Sequence, residues 1–159
     1  MKDYFSTQAR VEALFAAAQR WHGTPWRANS QAQGVRGGVS CHNLPRAIYI
    51  ECGALSKEFP PIVGDPNATK HKKVSVMEPM VDAMPEFRKL DMQREAMKPG
   101  DLLGLRIGHC LDHFGLLLQG NMFIHVLMHK NTDFDWINTH PWEQRLLAAW
   151  RPMEEEIAA

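Results

Sequence analysis

The order of helical and strand-like segments constrains the fold of this chain more than any other feature of its sequence. Apolar residues recur at helical spacing over residues 8–21, which predicts an amphipathic helix capped by Ser6 or Thr7. A glycine-rich loop follows over residues 23–40. A second helix is predicted from Cys41 to Cys52, because apolar residues again repeat on one face and a glycine follows.

The second half of the chain has the pattern of an antiparallel sheet. A short helix is predicted near residues 74–84, and Pro99-Gly100 then marks a turn. Because helices precede strands instead of alternating with them, the predicted fold class is α+β, with N-terminal helices packed on an antiparallel β-meander. The predicted strands, of which the second and third are joined by a hairpin turn, are Asp101–Ile107, His113–Gln119, Met122–Met128 and Leu146–Arg151.

Composition predicts one globular domain over residues 1–159, since a domain usually has about 100–200 residues. Hydrophobic residues make up 45% and charged residues 23%, both near the globular average. Eighteen Lys and Arg balance eighteen Asp and Glu, so the chain lacks the positive excess that drives nucleic-acid or membrane-surface binding. We therefore expect no nucleic-acid partner and no membrane partner.

The beginning of the chain and its cysteines indicate a reducing compartment. Asp3, Arg10, Glu12 and Arg20 interrupt the segment that would form the apolar region of a secretory signal. The three cysteines are an odd number and form no CxxC pair, which favours free thiols. The expectation is synthesis in the cytoplasm without an export signal.

Cys41 is the first candidate catalytic residue. It follows Gly37-Gly38-Val39-Ser40 at the predicted start of a helix. Unpaired N–H groups at a helix N-terminus favour a thiolate over a thiol and can hold an oxyanion. From position alone, a nucleophile and a small buried core residue remain equally consistent with the sequence.

His113 and His125 are the second candidate feature. They lie twelve residues apart and flank Gly120 by seven and five positions, so they fall on adjacent strands of the predicted hairpin. One imidazole could act as a base while the other fixes its tautomer. The spacing alone favours the alternative that both are structural histidines.

Metal binding is not expected. His109, Cys110 and His113, together with His125 and His129, offer suitable ligands. On a strand, however, residues four apart lie about 13 Å from each other, which is too far for one zinc ion. We likewise expect no cofactor.

Five segments, taken in order, resemble the NlpC/P60 family of papain-like cell-wall peptidases. The first two resemble the family's Gly-Thr-Pro-Tyr motif and the glycine-rich loop that leads to its cysteine. The others resemble its Pro-Gly-Asp-Leu strand entry, its His-x-Gly-Ile strand and its Phe-Ile-His-Ala strand. In this chain they read WHGTPWR at 21–27, GGVSCHNL at 37–44, PGDLL at 99–103, HFGLL at 113–117 and FIHV at 123–126.

This resemblance implies a papain-like fold and a cysteine hydrolase. It implies that Cys41 attacks an amide, that His113 carries the proton and that His125 orients His113. The implied substrate is a peptidoglycan stem peptide, cut at an amide next to a D-amino acid. We expect three further residues to support the substrate or the oxyanion, namely Trp26, Ser40 and His42.

The end of the chain, residues 142–151, is most similar to the phage-type branch of the family, which includes tail-associated and gene-transfer-agent peptidases. That similarity implies phage-tail components as partners and delivery to the cell wall by a phage tail or by lysis.

Three residues near the cysteine depart from the family pattern. Ser40 and Asn43 stand where Asp and Gly are usual, and Pro45 stands where Val is common. We expect Pro45 to make the first turn of the Cys41 helix irregular. These departures keep two alternatives open: a non-catalytic binding or phage-tail protein with a degenerate site, and a related thiol amidase or acyltransferase.

Overall fold

The computed structural model describes residues 1–64 and 74–156, and this part of the chain contains four α-helices and a main sheet of antiparallel strands. Helix α1 spans Gln8–Trp21, α2 spans Asn43–Cys52, α3 spans Met77–Asp82 and α4 spans Trp142–Arg145. The Thr7 side chain caps α1 by accepting a hydrogen bond from the Arg10 N–H, as one of the two predicted caps should.

Nine strands occur in the described part of the chain. Seven form the main sheet in the order β1-β9-β5-β6-β7-β8, with β4 pairing to the outer edge of β9 beside β1. Strands β2 and β3 form a separate two-stranded hairpin. The strands are β1 (Lys2–Asp3), β2 (Gln31–Ala32), β3 (Gly38–Val39), β4 (Phe87–Lys89), β5 (Leu102–Ile107), β6 (Cys110–Leu117), β7 (Met122–His125), β8 (Asp133–Trp136) and β9 (Leu146–Glu154).

The main sheet buries apolar side chains on both faces, because alternate residues along each strand pack into different cores. One core packs the sheet against α1 and α2; its sheet members include Leu102, Phe114, Leu116, Ile124, Ala148 and Trp150. The other packs the sheet against α4 and contains Leu103, Leu105, Leu117, Phe123, Ala149 and Trp142. The first core fixes the helices that precede and follow Cys41, and the second surrounds the two candidate histidines.

The α+β class and the helices-on-sheet arrangement are confirmed. Helix α1 has the predicted bounds, and the short helix near 74–84 is present as α3. The sheet is more than a meander, however. Strand β9 returns to pair with β5 on the side opposite β6, so the first and last core strands are neighbours.

Several bounds and elements differ from the prediction. The second helix begins at Asn43 instead of Cys41, and part of the 23–40 loop pairs as β2 and β3. The second core strand begins at Cys110, three residues earlier than predicted. Strands β1, β4 and β8 and helix α4 were not predicted, because each has four residues or fewer and too little periodicity to detect.

Within the described residues, no helix is both long enough and apolar enough to span a membrane.

A buried ion pair joins the ends of β5 and β9. Arg151 donates from Nε and Nη2 to the two carboxylate oxygens of Asp101, both at 2.9 Å. The two side chains are 7% and 1% exposed. A third hydrogen bond runs from Arg151 to the Ala96 carbonyl, so the pair also fixes the turn that enters β5. Such a pair is costly to break from one side, because the remaining charge stays buried.

We predict that Asp101→Asn lowers the free energy of unfolding by about 3–5 kcal/mol, since it leaves the buried Arg151 charge with only the more distant carboxylate of Asp3, 3.6 Å from Nη1. Urea denaturation measures the change. Arg20→Ala is the matched control, because Arg20 pairs with Glu51 at the surface, where an ion pair contributes about 0–1 kcal/mol. Equal losses for the two variants would contradict the structural role given to Asp101.

Candidate active site

Cys41 lies in the tight turn between β3 and α2. Val39 is held on both sides, by β2 and by a backbone hydrogen bond to Pro25. Ser40 then closes the turn: its carbonyl accepts from the Leu44 N–H, and its hydroxyl accepts from the Asn43 N–H. Cys41 therefore precedes the helix by two residues instead of opening it. Its side chain is half-buried and packs against the edge of the core that holds α1 and α2.

Pro45 affects the start of α2 and not its continuation. The helix runs unbroken from Asn43 to Cys52, which makes Pro45 its third residue. The Leu44 N–H bonds to the Ser40 carbonyl, but Pro45 has no N–H with which to bond the next carbonyl, that of Cys41. Residues 41–42 accordingly form a turn before the helix, in keeping with the irregular first turn expected from Pro45.

Asn43 has a structural role. Its amide donates to the Ser40 hydroxyl at 3.0 Å and to the Ile62 carbonyl at 2.8 Å, while its carbonyl oxygen accepts from the Ile62 N–H at 2.8 Å. The side chain is 1% exposed. Ser40 and Asn43, two of the residues that depart from the family pattern, thus bond to each other and tie the Cys41 turn to the segment around Ile62.

One pocket brings together most of the predicted site. Cys41 and His113 both line it, and so do the three residues predicted to support the substrate or oxyanion: Trp26, Ser40 and His42. His125 is not in its wall; it lies behind His113. The rest of the wall is largely apolar, with Ile107, Val126, Leu127 and Met128.

The two histidines form a buried hydrogen-bonded pair. His113 Nε2 lies 2.8 Å from His125 Nδ1, and the residues are 2% and 4% exposed. Trp142 packs against both rings, with centroid distances of 6.1 Å to His113 and 4.7 Å to His125. Burial, followed by the nearby His125 and His42, lowers the pKa of His113 well below its usual value. His113 is therefore neutral at pH 7, the form that can accept a proton.

The structure does not show a hydrogen bond between Cys41 and His113 among the described residues. The hydrogen bond found for the Cys41 Sγ is to the Asp112 carbonyl, at 4.0 Å. Asp112 is the extra residue of a β-bulge, since Leu105 pairs with His113 and Arg106 with Leu111. The bulge leaves the Asp112 carbonyl out of the ladder with β5 and exposes it to the pocket.

His42 uses that same carbonyl. Its Nε2 donates to Asp112 O at 2.9 Å and lies 3.6 Å from the Asp112 carboxylate. Burial alone would lower the pKa of His42, but Cys41 and Asp112 raise it to about 10. His42 is thus a cation beside the sulfur at neutral pH. Because its Nε2 already donates to Asp112, this nitrogen is not free to donate to an oxyanion. His42 therefore contributes positive charge to the pocket.

Two residues of the site were not predicted from the sequence. Asp112 becomes important only through the bulge, which the sequence does not mark. Asp135 lies on β8, with its Oδ2 3.4 Å from His125 Nε2. The alternation of acidic and aromatic residues in DFDW at 133–136 is a signal that could have identified both the strand and its acidic face.

Trp26 borders the pocket, and its ring packs edge-on against His129 at 5.5 Å. In the described part of the chain, no three His, Cys, Asp or Glu side chains converge as a metal site would require.

The family model for NlpC/P60 matches residues 66–151, more than half of the 159-residue chain. The chain belongs to the NlpC/P60 family. The matched range includes both histidines of the buried pair and begins after Cys41. NlpC/P60 proteins are generally peptidoglycan hydrolases, and the family also contains members that do not catalyse hydrolysis.

Solved NlpC/P60 structures share the fold at low sequence identity. A lipoprotein-like NLP/P60 protein from Staphylococcus aureus superposes with a TM-score of 0.62 at 17% identity over 96% of this chain and 44% of that chain. The NlpC/p60 domain of the peptidoglycan hydrolase SagA gives 0.55 at 19% identity over 87% of this chain and 96% of that chain. This chain therefore spans less than half of the S. aureus protein but nearly all of the SagA domain.

A third neighbour differs in function. RipD from Mycobacterium tuberculosis, described as a non-catalytic NlpC/p60 domain protein adapted to peptidoglycan binding, gives a TM-score of 0.54 at 12% identity over 93% of this chain and 100% of that chain. No curated protein sequence matches this chain. Identities this low establish the fold and leave the activity to be argued from the site.

We predict that His42 keeps both ring protons from pH 6 to pH 8.5 and loses one only near its pKa of about 10. NMR of the histidine ring nitrogens measures this, and the spectrum of His42→Gln assigns the signal. In Cys41→Ala the pKa of His42 should fall, because the sulfur is one of the groups that raise it. A wild-type His42 that loses its proton between pH 6 and pH 7 would contradict this description of the pocket.

Proposed function

We propose that this NlpC/P60 protein is a cysteine hydrolase that cuts amide bonds in peptidoglycan stem peptides. The observation that carries the proposal is the buried pair of His113 and His125, of which His113 lines the same pocket as Cys41 and His125 lies behind it. A nucleophile, a neutral base and a group that orients the base are the components of a triad. The family supplies the substrate class.

In the proposed reaction, the Cys41 sulfur attacks the carbonyl carbon of the scissile amide. His113 accepts the thiol proton on Nδ1 and returns it to the leaving amine, and water then releases the acyl group from the sulfur. His113 Nε2 is held by His125, so Nδ1 is the ring nitrogen available for this exchange. The His42 cation favours the negative charge that develops on sulfur and on the substrate oxygen.

A non-catalytic peptidoglycan-binding role is the second candidate, and RipD is the observation that favours it. Ser40 and Asn43, however, bond to each other and shape the Cys41 turn. These departures from the family pattern are therefore compatible with an intact site. A thiol amidase or acyltransferase would form the same thioester and differ only in the acceptor. Delivery to the wall by a phage tail or by lysis remains part of the proposal.

Digestion of purified muropeptides, followed by mass analysis of the products, tests the function. The wild-type protein should release fragments cut at an amide next to a D-amino acid, whereas Cys41→Ala should release none while remaining folded. Cys52→Ala is the control, because Cys52 lies at the end of α2, and it should keep most activity. His113→Asn should lose at least about 10²–10⁴-fold in rate, and His125→Asn should lose less.

Two results would count against the hydrolase. Muropeptides bound by the wild-type protein but left intact would favour the binding role. Equal product from the wild-type protein and Cys41→Ala would exclude Cys41 as the nucleophile.

A further inference from the structure

Asp135 lies at the outer end of the histidine pair. Strand β8 pairs with β7 so that Asp135 is opposite Phe123, two residues before His125. From there its Oδ2 reaches to 3.4 Å from His125 Nε2. The contacts therefore form one line, from the Asp135 carboxylate through both nitrogens of His125 to Nε2 of His113.

The chemistry of these groups determines where the protons lie. An ionised carboxylate can only accept a hydrogen bond, and a neutral imidazole has one donor and one acceptor nitrogen. Next to Asp135, His125 therefore carries its proton on Nε2, which leaves Nδ1 as an acceptor. His113 must then donate from Nε2 to that acceptor. Its own Nδ1 is consequently left without a proton.

We propose that Asp135 is a positioning residue that sets the tautomers of both histidines, so that His113 offers a bare Nδ1 to the pocket it shares with Cys41. The catalytic meaning of this arrangement rests on the proposed function, because it needs His113 to act as a base. The tautomers themselves do not depend on any reaction.

The burial of the two histidines helps the Asp135 carboxylate to set their tautomers. His113 and His125 are nearly inaccessible to water, and Trp142 packs against both rings, so water cannot readily replace the hydrogen bond between the two histidines. The side chain of Asp135 itself is 39% exposed, so its substitution does not open the core.

Asp133 provides a matched control. It is on the same strand, two residues from Asp135, and its carboxylate pairs with His22 at 3.0 Å instead of with His125. Each of the two carboxylates also accepts a hydrogen bond from the next backbone N–H along the chain. Asp133 also lies opposite His125 across the two strands, where its charge opposes the lowering of the His125 pKa by burial. Its described hydrogen bonds do not include one to that ring. Asp133→Asn thus removes a charge near His125 without removing the hydrogen bond at Nε2.

Asp135→Asn is the most informative variant, because an amide can donate where the carboxylate could only accept. When an amide donates to His125 Nε2, that nitrogen becomes the acceptor and the His125 proton moves to Nδ1. His125 Nδ1 then donates to His113 Nε2. The His113 proton is then placed on Nδ1, where it blocks the base. Asp135→Ala removes the carboxylate's preference for one tautomer without favouring the other.

Imidazole ¹⁵N chemical shifts of the whole protein report the tautomers directly, and muropeptide hydrolysis reports the consequence. In the wild-type protein, both histidines should be protonated on Nε2 and bare on Nδ1. Asp135→Asn should move the His113 proton to Nδ1 and lower the hydrolysis rate by about 10–100-fold, more than Asp135→Ala does. Asp133→Asn should leave both tautomers unchanged and lower the rate less than Asp135→Ala does, because it removes a charge near His125 but not the hydrogen bond at Nε2.

A wild-type His113 protonated on Nδ1, or nitrogen shifts that do not respond to Asp135→Asn, would overturn the inference. If the shifts respond as expected but the wild-type protein hydrolyses no muropeptide, the inference stands and the proposed function fails. The two failures are therefore distinguishable in one set of samples.

Discussion

The hydrogen bond between His113 and His125 is the interaction on which the candidate site depends. It exists because β6 and β7 pair in a register that places Leu116 opposite Ile124 and Leu117 opposite Phe123. A shift of one residue in that register would turn His125 to the other face of the sheet and separate the two rings. The same register buries the pair, and burial keeps His113 neutral. The register of β6 and β7 thus determines that the two histidines meet and that His113 is neutral, and the proposed chemistry depends on both.

Close packing beside the pair explains Gly115. A Cβ atom at this position would lie 2.6 Å from the Phe123 ring, which real contacts essentially never show. The Phe123 ring in turn packs 4.5 Å from the His125 ring, centroid to centroid. Any side chain at residue 115 would therefore displace the Phe123 ring that packs against His125. The glycine in the HFGLL segment serves the geometry of the site as well as that of the strand.

The sequence predicts those parts of the molecule that are governed by local chemistry. Helix α1, the hairpin that carries the two histidines and the α+β class follow from periodicity and turn residues, and they are present as predicted. What could not be predicted depends on contacts between distant residues. The bond from Asn43 to Ile62, the bulge at Asp112 and the approach of Asp135 to His125 all arise from tertiary packing. Helix α2 begins at Asn43 instead of Cys41 because Pro45 has no N–H to bond the Cys41 carbonyl.

The rate at which iodoacetamide alkylates Cys41 at pH 6 tests the central claim most directly, because it reports the nucleophile without needing a substrate. Peptide mapping by mass spectrometry separates Cys41 from Cys52, whose pKa burial raises to about 11, and from the buried Cys110. Cys41 should react much faster than free N-acetylcysteine under the same conditions, because the thiolate is the reactive form and the His42 cation favours it. A Cys41 that reacts no faster than N-acetylcysteine would contradict the central claim.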